Sequence, residues 1–275
     1  MNRASLSLSL SPRQAIRSLV AQTLGPLPAL EFLLKLRALP GSAMLRLHAR
    51  REVRRLKGQL NGLVSASVVT VIPTYRRPEM AEEALDSALA QDYDDHRILL
   101  VDDGAGVLPI CHDQRVTMVS LSRNLGVAGA VRNVGIALSS SRYVAFLDDD
   151  NIWHSDHLST ALAALEHGAD VVYTAIRRVR PDGSPVDEVS VPFERHLMRT
   201  RSFIDTSAIV VRRSRKTRFS WVPRGRGTVP GEDWEFAYRL SRSHQMVHLP
   251  QVTVEYLVHE SSYYRGQDES DPGPG

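Results

Sequence analysis

Three short apolar runs, each ending at a polar or acidic cluster, constrain this chain more than any other feature. Val68-Val69-Thr70-Val71-Ile72 leads into Pro73-Thr74-Tyr75. Arg97-Ile98-Leu99-Leu100-Val101 leads into Asp102-Asp103-Gly104. Tyr143-Val144-Ala145-Phe146-Leu147 leads into Asp148-Asp149-Asp150. Apolar, β-branched runs bounded by turn residues suit strands buried on both faces. Helical patterns lie between and after them. Pro78, whose missing N–H is harmless in a first turn, opens one that carries Ala81, Leu85, Ala88 and Leu89. Leu125 to Leu138 reads as a glycine-entered helix. Leu158, Leu162 and Leu165 mark another, closed by Gly168 ahead of a further strand, Val171 to Ile176. This alternation predicts an α/β chain with a Rossmann-like, mostly parallel central sheet flanked by helices. In such sheets ligands sit beyond the carboxyl ends of the strands, so the three polar clusters are expected to form one site.

Charge divides the chain. Residues 1–66 hold eleven Lys/Arg and two Asp/Glu, whereas the remainder holds 23 basic and 29 acidic residues. The reading is a basic helical N-terminal extension over 1–66, a main domain over 67–260, and a polar Pro/Gly-rich tail over 261–275 expected to be disordered. Within the extension, Ile16, Leu19, Val20 and Leu24 recur at helical spacing, and so do Leu30, Leu33, Leu34 and Leu36. A third segment, from about Ser42 to Leu60, carries Arg50, Arg51, Arg54, Arg55 and Lys57, and Pro26, Pro28, Pro40 and Gly41 are expected to punctuate the series. A basic arm on an acidic body calls for an anionic partner of the arm and does not make the body a nucleic-acid binder. The arm therefore has two readings: packing on the body or on a partner protein, and peripheral attachment to anionic lipid. The apolar stretch Leu27 to Leu39 is too short to span a bilayer and is broken by Glu31, Lys35 and Arg37. Met1 to Ser11 lacks the apolar run of a secretory signal. The lone Cys111 excludes an intrachain disulfide and a cysteine-rich zinc site. The location expected from this is cytoplasmic, with the inner face of a membrane as the place for peripheral contact.

Three adjacent carboxylates, Asp148-Asp149-Asp150, repel one another unless cations or hydrogen bonds compensate. Hard divalent ions, Mn²⁺ or Mg²⁺, prefer such oxygen ligands and bind diphosphates through them. The plainer reading is a solvated acidic turn. Asp102 or Asp103 could accept a hydrogen bond from a base or ribose, or cap its own loop. The segment Asn124 to Asn133, N-L-G-V-A-G-A-V-R-N, is not a dinucleotide fingerprint. Its glycines admit either a phosphate or a closely packed helix. Glu232-Asp233 stands at a helix start, where the dipole favours carboxylates. The chemical reading of that pair is a general base placed after an irregular segment, 212–231, able to close over a substrate. Residues 177–203 read as a second irregular binding segment. The H-x-x-H pair His154 and His157 lacks any companion ligand motif and reads as structural. Of the three tryptophans, only Trp234, beside the candidate base, is singled out for acceptor contact.

The ordered set V-V-T-V-I-P-T-Y-R-R-P, L-V-D-D-G, R-N-L-G-V-A-G-A-V-R-N, F-L-D-D-D-N-I-W and G-E-D-W-E-F resembles glycosyltransferase family 2, with its GT-A fold, from about Ser67 to His259. The resemblance implies a metal-dependent, inverting enzyme that moves one sugar from a nucleotide-sugar donor to an acceptor hydroxyl on a glycan, a lipid-linked compound or a small molecule. By position it implies a nucleotide pocket of Pro73, Thr74, Tyr75, Arg77, Asp102 or Asp103, Arg132, Asp148 and Asp149. It implies a divalent cation, Mn²⁺ or Mg²⁺, on Asp150 with Asp148 and His259, and Asp233 as catalytic base supported by Glu232. The Q-x-x-R-W motif of processive polysaccharide synthases is absent, which points to single-sugar transfer. Two other readings remain at this point: a sugar-phosphate nucleotidyltransferase, which would need a basic glycine-rich loop where Pro73 to Pro78 stands, and a catalytically degenerate nucleotide-binding scaffold.

Overall fold

The apolar runs form neighbouring strands. In the computed structural model, which describes residues 22–224 and 228–258, β1 (Val64–Thr74), β2 (His96–Asp102), β3 (Val116–Ser120) and β4 (Ser139–Phe146) pair in parallel in the order β3-β2-β1-β4. Every residue of β1 from Val68 onward is buried, as a strand covered on both faces requires. Thr74 lies opposite Asp102, and Asp102 opposite Ser120. Val71 lies opposite Phe146, which brings Asp148 to the same edge. The polar clusters therefore converge as the alternation implies.

The other half of the sheet departs from the parallel expectation. β5 (Asn151–Trp153), β6 (Val171–Val179), β7 (Pro185–Val189), β8 (Ile209–Arg212) and β9 (Met246–Leu257) complete a mixed sheet. β8 runs antiparallel to both β4 and β6, β7 antiparallel to β6, and β5 antiparallel to β9, while β9 is parallel to β6. The physical reason lies in the connections. A parallel return needs a long crossover, usually a helix, and no α-helix lies between β6 and β8. β7 falls inside the stretch 177–203 expected to be irregular; its residues P-V-D-E-V are mostly exposed and carry no buried-strand signal. The β6–β9 ladder slips between Thr174 and Ala175, whose partners are Leu249 and Val252. Pro250, which has no N–H to donate, stands in the gap.

Six α-helices flank the sheet among the described residues: α1 (Pro26–Arg37), α2 (Leu39–Gln59), α3 (Pro78–Leu89), α4 (Ala128–Leu138), α5 (His157–Glu166) and α6 (Glu232–Ser241). Pro40 and Gly41 do not separate the helices of the extension as expected. Pro40 sits in the first turn of α2, where its missing N–H breaks no bond, and only Ala38 divides α1 from α2. Leu45, Ala49, Glu52 and Leu56 form the buried stripe of α2, at helical spacing, and α2 packs on α4. The buried Glu52 carboxylate accepts from the Ser122 backbone N–H at 3.0 Å and from Arg55 at 2.6 Å. No helix among the described residues is long and apolar enough to cross a membrane. The expected helical positions 13–21, the tail 261–275 and His259 lie outside the described residues.

Candidate nucleotide and catalytic site

A cleft of about 480 Å³ opens at the carboxyl edge of β1, β2 and β4. Its walls are Pro73, Thr74, Tyr75 and Arg77 after β1, Asp103 after β2, the Asn124–Ala128 loop into α4, Val131 and Arg132 on α4, and Asp148, Asp149 and Asp150 after β4. Thr74 Oγ1 donates to Asp149 Oδ2 at 2.8 Å, tying two strand ends together. Arg77 Nη1 reaches Asp149 at 3.4 Å and Asp150 at 3.1 Å. Buried Asp149 is therefore a structural bracket, its carboxyl raised to about 6 by burial and by the neighbouring Asp150. Asp148 and Asp150 keep 27% and 22% of their side chains exposed, toward which a ligand can come.

Asp102 and Asp103 separate into different roles. Asp102 is fully buried, accepts from the backbone N–H groups of Ala105 and Gly106 at 3.1 and 2.7 Å, and takes the Ser120 hydroxyl as well. It organises its own loop and does not line the cleft, so the expectation that it contacts a base is corrected. Asp103 does line the cleft. Its two oxygens accept from Leu125 N at 2.7 Å and Gly126 N at 2.9 Å, and burial raises its carboxyl to about 6. The crossing of these loops is close. A side chain on Gly104, whose φ is +78°, would place Cβ 2.3 Å from the Arg123 carbonyl carbon.

Arg132 was expected to face a diphosphate. It lines the cleft, and the structure gives it a second task. Its side chain is 3% exposed, and its two terminal nitrogens donate to Asp148 and to Glu232, with Glu232 arriving from α6. The guanidinium also lies 5.1 Å from the Phe219 ring centroid. Glu232 closes the link by accepting from Gly129 N at 2.8 Å. Gly129 has to be glycine here: a Cβ would stand 2.8 Å from Glu232 Oε2 and 2.9 Å from Phe219 Cβ. Arg132 is thus a cationic bridge between the acidic strand end and the acidic helix start, and it presents one edge to the cleft.

Glu232 and Asp233 open α6, with Glu235 also in its first turn, where the helix dipole favours carboxylates. Asp233 is not part of the cleft wall. Desolvation at the helix start, with lesser repulsion from Glu232 and Asp148, raises its carboxyl to about 6 against the pull of the Trp234 N–H and Arg132. Sequence reasoning missed Asp205. This buried carboxyl accepts from Ser207 N at 2.8 Å and is pushed up to about 8, first by burial and then by the charges of Asp148 and Asp233. Ser207 was missed as well. Its hydroxyl accepts from Asp148 N at 3.1 Å and Asn151 Nδ2 at 2.8 Å, and its carbonyl accepts from Trp153 Nε1 at 2.8 Å. The available signal was an Asp-Thr-Ser step immediately before the apolar strand β8.

Two further expectations change. Trp234 is 1% exposed, donates to the Met198 carbonyl at 2.6 Å and stacks on Tyr238, so it anchors α6 and offers no face to an acceptor. His154 pairs with Glu255 at 2.9 Å, while buried His157 meets Thr253 at 2.7 Å and stacks on Trp153, both structural as read. Among the described residues no three His, Cys, Asp or Glu side chains are grouped to hold a metal ion on their own. Asp148 and Asp150 nevertheless fit a hard cation that takes its remaining ligands from phosphate and water, since Mg²⁺ commonly binds through one or two carboxylates plus substrate phosphates.

A mixed sheet with helices on its faces and an acidic strand-end cleft defines the GT-A class, and solved structures agree. S. aureus TarS residues 1–349, in complex with UDP-GlcNAc, superposes with a TM-score of 0.54 at 19% identity over 70-odd per cent of this chain (72%) and 60% of that one. The mannosyltransferase PcManGT from Pyrobaculum calidifontis, in complex with GDP-Man and Mn²⁺, gives 0.51 at 18% identity over 84% of this chain and 70% of that one. At these identities the likeness is one of fold. Residues 69–221 match the family model described as glycosyl transferase family 2, and the chain belongs to that family. Among curated relatives, an uncharacterized glycosyltransferase of Rickettsia felis is 29% identical over 137 residues, 48% of this chain and 23% of the relative. The amylovoran biosynthesis glycosyltransferase AmsB of Erwinia amylovora is 31% identical over 170 residues, 54% of this chain and 56% of the relative. The chain spans between about a quarter and a little over half the length of these two relatives.

Proposed function

We propose that this protein transfers a single sugar from a nucleoside diphosphate sugar to an acceptor hydroxyl with inversion, Asp233 serving as general base. The observation that carries this reading is an acidic helix start, Glu232-Asp233, tied by the Arg132 bridge to the acidic wall of a nucleotide-sized cleft, with desolvation raising the Asp233 carboxyl to about 6. A base works best when its pKa lies near the operating pH. Tyr75 and Asp103 bound the part of the cleft suited to the base and ribose, while Arg77, Asp148 and Asp150 bound the part suited to the diphosphate. A divalent cation, Mn²⁺ or Mg²⁺, held by Asp150 with Asp148, would supply charge neutralisation for the departing nucleoside diphosphate. The Mn²⁺ complex of PcManGT supports that assignment, and the UDP-GlcNAc and GDP-Man complexes support a nucleotide-sugar donor.

In this reading the acceptor hydroxyl gives its proton to Asp233 as its oxygen forms the new bond to the anomeric carbon. The bond from that carbon to the phosphate oxygen breaks on the opposite face. One displacement inverts the centre, and no second carboxylate nucleophile is required. Arg132 keeps Asp148 and Glu232 in register, and Asp205, protonated at neutral pH, adds no further negative charge to the patch. The place of AmsB in amylovoran biosynthesis supports a glycan hydroxyl as acceptor.

The test uses the full chain with a panel of nucleoside diphosphate sugars and Mn²⁺. Thermal shift reports binding, nucleoside diphosphate release reports turnover, and anomeric proton couplings report stereochemistry. Asp233→Asn is expected to keep donor-induced stabilisation and lose turnover by about a thousandfold or more. Asp150→Ala is expected to lose the Mn²⁺-dependent stabilisation. Full turnover in both variants, or retention of configuration, overturns the reading.

A further inference from the structure

The described part of the extension has two faces. Its only carboxylates, Glu31 and Glu52, are buried at 5% and 7% exposure and turned onto the body, where Glu31 pairs with Arg224 at 2.6 Å and Glu52 with Ser122. The outward surface of α1 and α2 is therefore free of negative charge. It carries Arg37, Arg46, Arg50, Arg51, Arg54 and Lys57, all exposed. Among these cations stand large apolar side chains that no described residue buries: Leu24, Phe32 (47% exposed), Leu36, Leu39 (61%), Met44 and Leu47. From residue 64 onward the described chain exposes only four such side chains, Val107, Ile110, Val186 and Val229. On α2 the exposed positions Met44, Leu47, Arg51 and Arg54 recur at helical spacing on the side away from the buried stripe Leu45, Ala49, Glu52 and Leu56.

We propose that this outward face docks the protein on an anionic lipid bilayer, lying on the surface without crossing it. Cationic residues interleaved with Phe, Leu and Met on an exposed helical face, without a carboxylate, match what an interfacial helix needs: apolar side chains entering the acyl boundary and Lys/Arg at the level of the phosphates. A cavity of about 710 Å³ opens beside Phe32. It extends the cationic character with Lys35, Arg195, Arg199 and Arg242 on its walls, its two carboxylates, Glu31 and Glu235, being buried and paired. No helix among the described residues can span a bilayer, so contact through this face is peripheral.

The experiment is flotation of the full chain with vesicles of phosphatidylcholine alone and of phosphatidylcholine with about a third phosphatidylglycerol. Binding is expected to the anionic vesicles only, and to weaken as salt is raised. The triple variant Arg50→Gln, Arg51→Gln, Arg54→Gln is expected to bind about a hundredfold more weakly, since each cation at such a surface contributes roughly a factor of five. Phe32→Ser with Leu36→Ser is expected to lose about tenfold or more. Arg215→Gln with Lys216→Gln, outside the face, is expected to bind as the wild type does. Unchanged thermal unfolding of each variant separates loss of docking from loss of fold. Equal binding to both vesicle types, no binding to either, or wild-type binding by the triple variant overturns the proposal. So does sedimentation showing that the face is consumed by self-association with no vesicle binding. None of these outcomes depends on the donor or acceptor of the cleft.

Discussion

Replacing Arg132 with methionine tests whether the site is held together by one cation. Methionine keeps a long apolar stem against Phe219 and removes both ionic partners, so the loss reports charge and not packing. Deleting one member of a buried pair typically costs about 3–5 kcal/mol, because the partner is left as an uncompensated charge. Here Asp148 and Glu232 keep 27% and 19% of their side chains exposed, and Glu232 retains the Gly129 N–H, so the lower end, about 3 kcal/mol, is expected at pH 7.5. Burial already raises the Asp148 carboxyl, and Arg132 opposes that rise. Without Arg132 the folded-state pKa of Asp148 climbs further above its unfolded value. The folded variant then holds a proton that the unfolded chain has released, and its stability falls as pH rises through that window. The deficit should therefore shrink at pH 5, to roughly half, as protonation replaces the missing cation. Urea unfolding followed by tryptophan fluorescence is the assay, Trp153 and Trp234 both being buried. Adding Asp148→Asn and Glu232→Gln to Arg132→Met should recover at least half of the loss. A deficit below about 1 kcal/mol, or one unchanged between pH 7.5 and pH 5, would refute the bridging role.

Three other outcomes follow from the same geometry. Turnover should rise with pH through about 6 as the Asp233 carboxyl ionises, close to tenfold per unit below that value, and level off above pH 7; a flat profile from pH 5 to pH 8 would remove Asp233 as the base. Gly129→Ala should destabilise by about 1–3 kcal/mol and reduce turnover, because its Cβ displaces Glu232 and Phe219; thermal unfolding and nucleoside diphosphate release check both. Asp205, with a folded pKa of about 8 above an ordinary 3.8, makes the folded state hold an extra proton between those values, so wild-type stability declines as pH rises across them. Asp205→Asn removes that decline and should be more stable than the wild type at pH 8, by on the order of 5 kcal/mol, and nearly equal to it at pH 4.

The parts of the site that local sequence made legible are those set by a single strand end. Val68–Ile72 and Tyr143–Leu147 are continuous apolar runs because strands in the middle of a parallel sheet are covered on both faces, and whatever follows them must emerge at one edge. That reasoning placed Thr74, Asp103 and the Asp148 cluster together. It failed where a strand is covered on one side or interrupted. β9 mixes His248, Pro250, Gln251 and Glu255 among its apolar residues, and β7 is mostly exposed. Charge pairing was the other blind spot. Arg132 and Glu232 are 100 residues apart, and nothing in either neighbourhood names the other. The family resemblance implied the nucleotide or diphosphate as the partner of Arg132. The fold supplies two carboxylates first. Asp102 and Asp103 are adjacent and chemically identical, and only the loop that wraps back onto Asp102 tells them apart.

The extension, which lies outside the family match, is fastened to the segment that delivers the candidate base. Arg224 donates through one terminal nitrogen to Glu31 of α1 at 2.6 Å and through the other to the Pro230 carbonyl at 2.5 Å, one residue before Gly231-Glu232-Asp233. Arg224 and Glu31 are both nearly inaccessible, at 6% and 7% side-chain exposure. Lys35, one turn further along α1, pairs with Glu235 in the first turn of α6 at 3.0 Å, and Gly41 packs on Pro223. α1 therefore grips α6 and its approach through both of its charged inward positions. A buried ion pair adds little net stability over an apolar contact of equal shape, but it tolerates few alternative geometries. Its consequence here is register: the start of α6, and with it the distance from Asp233 to the Arg132 bridge, is referred to α1. The same short helix presents Phe32 and Leu36 outward. One element thus carries on one side the contacts that set the catalytic helix and on the other the apolar side chains proposed to meet the bilayer.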